Sequence, residues 1–249
     1  TAGFTISPSS PININEGDSA TISVVLNSQP TSSVTIDVSA AVDWNSRASL
    51  LPTSVTFTTS SWETAQNITI TTVHDNQING NQSNTVTFSV NDGSTNDTKF
   101  KAVSDQTISV TVLDNDEAGF VLIPGSFISL TEQGASQTLS VKLKSQPSQN
   151  VTASLTGMDA TEASVVPSEL VFTPSNWNEV QSLVFTGVDD DVADGNQKFT
   201  ATLTAVTGDS NFSGNSVSIT ILNVDDDVDT PSAPKESTTK SGTNQTEPE

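Results

Sequence analysis

The chain has 249 residues, enough for about two ordinary domains that each bury a core of their own. Its 29 acidic against 8 basic residues give a formal charge of -21, which repels nucleic-acid phosphates and anionic lipid surfaces and leaves cations as natural partners. The lack of cysteine excludes disulfides, thiolate metal sites and cysteine nucleophiles, and no apolar run approaches the roughly 18 residues of a membrane span.

In chain order, apolar residues alternate with the period of two that half-buried strands require. Ile22, Val24 and Leu26 share one face, followed by Val34, Ile36 and Val38, by Ile68 and Ile70, by Val86, Phe88 and Val90, and by Ile108, Val110 and Val112. The pattern then starts again with Leu139, Val141 and Leu143, with Val151, Ala153 and Leu155, with Phe199, Ala201 and Leu203, and with Val217, Ile219 and Ile221. Sustained helical periodicity is absent. "AGF" at Ala2 recurs at Ala118, "SQP" at Ser28 recurs at Ser145, and "LPTSVTFTTSSW" from Leu51 matches "VPSELVFTPSNW" from Val166. Three landmarks in one order at nearly one spacing mark an internal repeat. Its length suits a complete sandwich, so the expected fold is all-β: two tandem antiparallel immunoglobulin-like sandwiches of about seven strands each. The expected domains are 1–116 and 117–229. The segment 230–249 has no large apolar residue and is expected to be a disordered tail or linker.

Acidic residues gather at the ends of the predicted strands. The densest run is "GVDDDVADGNQKF", with Asp189, Asp190, Asp191 and Asp194 in six positions. Carboxylates that close repel by an amount on the order of 1 kcal/mol per pair even in water. A hard cation that takes 6 to 8 oxygen ligands reverses the sign.

"LVFTGVDDDVADGNQKFTATL", Leu183 to Leu203, resembles the Calx-beta pattern, in which a strand runs into consecutive aspartates, an acidic turn and a strand opening on an aromatic. "LTEQG" at Leu130 and "INEGD" at Ile14 resemble that family's glutamate-bearing segment, and "VTVLDNDEAGF" at Val110 its acidic junction into the next repeat. "LDNDE" before "AGF" is also similar to the calcium-bearing linkers of cadherins, the second choice. The Calx-beta resemblance implies Ca2+ bound at one end of each sandwich. In the second repeat it points to Glu132, Asp159, Asp189, Asp190 and Asp194, with Asn223 and Asp225; in the first, to Glu16, Asp43, Asp75 and Asn79, with Asp114 and Asp116. Where the second repeat has Asp189 and Asp194 the first has His74 and Asn79, so the first site is expected to be weaker or lost.

Trp62 and Trp177 hold the same repeat position and read as core lids; Trp44 has no counterpart and is the better candidate for an exposed contact. Several N-x-S/T sequons make glycosylation chemically possible. Phosphate loops, zinc-protease and nucleophile-elbow motifs are all absent, and the acidic pairs lie in turns without an apolar pocket to raise one pKa, so no enzyme is expected. The low share of charged residues beside abundant Ser, Thr and Asn suggests an extracellular or cell-surface location. With Thr1 in place of an initiator methionine or a signal-like segment, a fragment or processed product is expected. The expected role is a spacer or adhesion stalk stiffened by Ca2+ at loop ends and at the inter-domain junction, with neighbouring repeats, other copies of the chain, glycans or cell-surface proteins as further partners. The alternatives are a filament or surface-layer subunit that assembles through strand edges, and a carbohydrate-binding module.

Overall fold

The computed structural model describes residues 1–228 apart from Ser10, Val42, Asp43 and Asn45, so the expected tail and the proposed ligand Asp43 lie outside the described residues. The first half forms β1 (Phe4–Ser7), β2 (Ile12–Asn15), β3 (Ser19–Leu26), β4 (Val34–Ala40), β5 (Ala48–Leu51), β6 (Ser54–Phe57), β7 (Gln66–Thr72), β8 (Gln82–Val90) and β9 (Gln106–Leu113). They make two sheets, in the orders β1-β3-β7-β5 and β2-β9-β8-β4-β6. The second half repeats this with β10 (Phe120–Ile123), β11 (Phe127–Thr131), β12 (Ser136–Leu143), β13 (Val151–Thr156), β14 (Ala163–Val166), β15 (Glu169–Phe172), β16 (Gln181–Gly187), β17 (Gln197–Val206) and β18 (Ser216–Val224). Their orders are β10-β12-β16-β14 and β11-β18-β17-β13-β15. A short helical turn, α1 (Thr98–Lys101), is capped by Asp97, whose carboxylate accepts from the Lys99 N–H at 2.9 Å.

The architecture is the expected pair of all-β immunoglobulin-like sandwiches, with nine strands in each among the described residues rather than about seven. Proline explains the difference. Having no N–H to give a ladder, it ends a pairing, and the chain crosses to the other sheet at Pro8 and Pro52, and again at Pro124 and Pro167. Each crossing leaves two short strands, one in each sheet. The fragments β2 and β11 then pair in parallel with β9 and β18, while the other ladders are antiparallel.

The alternating residues form the cores. Ile22, Val24, Ile36, Phe57, Ile68, Ile70 and Phe88 are inaccessible in the first sandwich, and Leu139, Val141, Phe172, Leu183, Phe185, Leu203 and Ile219 in the second. Each such side chain stabilises the fold by roughly 1.5–3 kcal/mol through burial. Trp62 and Trp177 pack against these cores, as lids do. Trp44 corrects the expectation of an exposed contact: only 4% of it is accessible and it belongs to the first core. An indole is too large an apolar surface to leave in water when a core edge lies beside it.

Candidate metal centre

The parallel pairs bring the acids together. Because β11 runs alongside β18, with Thr131 opposite Val224, the residues that follow both strands leave the sheet side by side. The Glu132 N–H donates to the Val224 carbonyl at 3.2 Å, which fixes Glu132 next to Asp225. On the facing sheet, β14 starts opposite the end of β16, with Ala163 paired to Gly187, and the Val188 N–H donates to the Glu162 carbonyl at 2.9 Å. Glu162 is thereby held at the same end. Gly187 is required where the two sheets come closest: a Cβ there would lie 2.2 Å from the Thr131 carbonyl oxygen and 2.8 Å from Asn223 Oδ1.

Asn223, fully buried on β18, is the centre of the group. Its Nδ2 donates to Glu132 Oε1 at 3.5 Å, Glu162 Oε2 at 3.3 Å and the Val188 carbonyl at 3.3 Å. Oxygens of Glu132, Asp225 and Asp227 lie within 4.8 Å of one another. Three buried oxygens here, Glu132 Oε2, Asn223 Oδ1 and Asp227 Oδ2, have no hydrogen-bond partner. All three are acceptors only, so the space between them calls for a donor or a positive charge.

Electrostatics describes the same deficit. Burial pushes the Glu132 carboxyl up from its ordinary 4.5, and the charges of Asp225, Asp190 and Asp194 push it further. Asp227 is raised from 3.8 by burial first, then by Asp225, Asp226, Asp191 and Asp189. The aspartate run thus surrounds the buried acids electrostatically. Its own geometry is that of a fixed loop: Asp190 Oδ1 accepts from the Val192 N–H at 2.8 Å, and the Gly195 N–H donates to Asp225 Oδ2 at 2.6 Å. Asp159 is placed differently, in an exposed turn where its Oδ1 accepts from the Thr161 N–H and hydroxyl at 3.1 and 2.6 Å. Glu162, three residues after Asp159 and immediately before β14, reaches the Asn223 amide.

The first sandwich builds the equivalent end, where Glu16 Oε2, Asn79 Oδ1 and Asp116 Oδ2 are likewise buried without a hydrogen-bond partner, and adds basic side chains to it. Glu16, 5% exposed, is held by its N–H on the Leu113 carbonyl at 3.0 Å, the counterpart of the Glu132 anchor. Asp114 accepts from the N–H groups of Asn79 and Gly80 at 2.8 and 2.6 Å and of Asp116 at 2.9 Å. These bonds outweigh its burial and hold its carboxyl below the ordinary 3.8. Asn79 Nδ2 reaches Asp75 Oδ2 at 3.2 Å. At the position of Glu162, immediately before the strand's leading alanine, stands Arg47. Its Nη1 lies 3.7 Å from Glu16 Oε1 and 3.4 Å from Asp75 Oδ2, with His74 Nδ1 3.9 Å from Glu16 Oε2. Burial, then Asp75 and Asp114, still raise the Glu16 carboxyl, and burial and Asp114 raise Asp116.

Arg47 and Glu162 are the residues that sequence reasoning missed. The signal was present: "RASLLP" from Arg47 and "EASVVP" from Glu162 align without a gap and differ in sign at their first residue.

Neither the protein-family models nor the curated proteins contain a match to this chain. Among solved structures it is similar to the calcium binding domain CBD12 of CALX1.1, at 14% identity over 84% of this chain and 82% of that one, with a TM-score of 0.46. CBD12 from CALX1.2 is 14% identical over 83% of each chain, with a TM-score of 0.40. The class 5 fimbriae chaperone CfaA is 11% identical over 90% of this chain and all of its own, with a TM-score of 0.37.

Proposed function

We propose that the chain is a Ca2+-responsive structural spacer or adhesion-stalk segment of a secreted or cell-surface protein. The observation that carries this reading is the set of three unpartnered, buried acceptor oxygens on Glu132, Asn223 and Asp227 at one end of the second sandwich. Glu162 and Asp225 complete an all-oxygen shell, with Asp190 and Asp194 on the covering loop. Hard oxygen donors from carboxylates and an amide, without imidazole or sulfur, suit Ca2+ over the softer transition metals. The cation would take the place of the missing donor, cancel the repulsion among these acids and fix the loop between β16 and β17.

The first site is the weaker one, because Arg47 already supplies the counter-charge to Glu16 and Asp75. Asp114 and Asp116 remain at the inter-domain junction, where Asp116 Oδ2 is buried without a partner. Edge-strand pairing between copies has little to work with, since most edge strands span four residues. The carbohydrate alternative loses Trp44, its best aromatic, to the core.

Amide hydrogen exchange over Val188–Asn196 tests the reading. Added Ca2+ should slow exchange in this loop relative to excess chelator; equal exchange in both would remove the metal from the function.

A further inference from the structure

The loop between β7 and β8 also joins the two sandwiches. The Asn76 carbonyl accepts from the Gln146 N–H at 2.7 Å, Gln77 is the bridge partner of Gln146, and Ile78 packs against the second core. The Ile78 carbonyl accepts from Asn211 Nδ2 at 2.9 Å. The receiving platform is pinned from within: Gln146 Nε2 donates to the Pro174 carbonyl at 2.6 Å, and the Ser148 N–H and hydroxyl donate to Asp209 Oδ2 at 2.6 and 2.8 Å.

Both halves of this joint occur a second time, unpaired with each other. On the first sandwich, Gln29 Nε2 donates to the Thr59 carbonyl at 2.7 Å, and the Thr31 N–H and hydroxyl donate to Asp97 Oδ2 at 2.7 and 2.8 Å. That is the same platform, bond for bond. Gln29 and Thr59 are exposed where Gln146 and Pro174 are half-buried. On the second sandwich, the loop between β16 and β17 has the shape of the docking loop. Asp190 Oδ1 accepts from the Val192 N–H at 2.8 Å as Asp75 Oδ1 accepts from the Gln77 N–H at 2.8 Å. The Gly195 N–H meets Asp225 Oδ2 as the Gly80 N–H meets Asp114 Oδ2, both at 2.6 Å. Val192, which stands where Gln77 makes the bridge, is 58% exposed.

Charge identifies what the loop meets. The loop carries Asp189, Asp190, Asp191 and Asp194, while the free platform presents the exposed Lys99 where the occupied one has Asn211, with Lys101 beside it, in a chain of only 8 basic residues.

We propose that the Asp190–Gly195 loop of one copy docks on the Gln29, Thr31 and Lys99 platform of a second copy, which repeats the internal joint between chains. The contact is heterologous, so it adds copies head to tail rather than closing a dimer. A joint of this small size is weak in isolation and depends on concentration. It does not rest on the metal reading.

Since the chain has no cysteine, single thiols can report the contact. A Val192→Cys chain is mixed under mild oxidation with a Gln29→Cys chain, or with a Ser83→Cys chain whose thiol lies at the opposite end of the first sandwich, in Ca2+ and in chelator. Unchanged melting of each variant confirms that it is folded. Docking raises the effective concentration of the paired thiols, so the Val192→Cys and Gln29→Cys pair should cross-link about ten-fold faster than the control pair in at least one condition, and Lys99→Glu in the Gln29→Cys chain should remove most of that advantage. Equal rates for the two pairs in both conditions overturn the proposal, as does an advantage that Lys99→Glu leaves intact.

Discussion

Glu162→Arg gives the second site the guanidinium that the first already has. Glu162 Oε2 shares the Asn223 amide with Glu132, at 3.3 and 3.5 Å from its nitrogen, so a cation among these oxygens lies about one side-chain contact away. A unit charge about 5 Å from a divalent ion, at an effective dielectric of about 20, interacts with it by roughly 6–7 kcal/mol before desolvation offsets part of that. A bound ligand at 100 times its Kd stabilises the fold by only about 2.7 kcal/mol. Reversing the charge therefore exceeds everything that binding has to offer. Melting followed by circular dichroism should show the wild-type second sandwich rising by roughly ten degrees in saturating Ca2+ relative to chelator. The Glu162→Arg protein should melt above the wild type in chelator, because the guanidinium relieves the buried acids, and should not move when Ca2+ is added. A variant that keeps the wild-type Ca2+ shift would refute the assignment of Glu162 to the site.

The reverse exchange, Arg47→Glu, should lower the melting temperature of the first sandwich in chelator and create a second Ca2+ equivalent in a calorimetric titration; unchanged stoichiometry would show that Arg47 is not what occupies the first site. Gly187→Ala should cost the second sandwich about 3 kcal/mol, since its Cβ meets backbone at 2.2 Å, whereas a melt within a degree of the wild type would contradict that close approach. In chelator, stability should pass through a maximum in mildly acidic solution. Glu132 and Glu16 have folded pKa values above their ordinary 4.5, so the stability they contribute is full below that value and is lost as pH rises through the folded pKa. Asp97, held low by the Thr31 N–H, and Asp209, held low by Ser148 and its neighbours against its burial, contribute stability that is present above 3.8 and lost as pH falls through their folded values. Melting temperatures that climb steadily to neutral pH without metal would contradict this balance.

The sandwiches were legible because their physics is periodic. Ile22, Val24 and Leu26, or Leu139, Val141 and Leu143, declare a buried face by alternation alone, and all six are buried. The nine-strand division was not read from the sequence, because Pro8, Pro52, Pro124 and Pro167 separate strands of only four or five residues, too short for alternation to mark each one. Glu132 and Glu16 were found as acids next to a strand end. Glu162 was not, because a lone charge before a four-residue strand looks like any exposed turn until its partner strand brings it beside Asn223. Trp44 failed for a related reason: the lack of a counterpart in the other repeat says nothing about exposure. The docking loop was hidden because its contacts come mainly from backbone groups of Asn76 and Ile78, which no side-chain pattern announces.

The most direct test is a calorimetric titration of the metal-free chain with Ca2+, repeated on Glu132→Gln. Binding of about one tight equivalent by the wild type, absent in the variant, is the expected result for an all-oxygen site in the second sandwich. No saturable heat, or the same isotherm from both proteins, would contradict it.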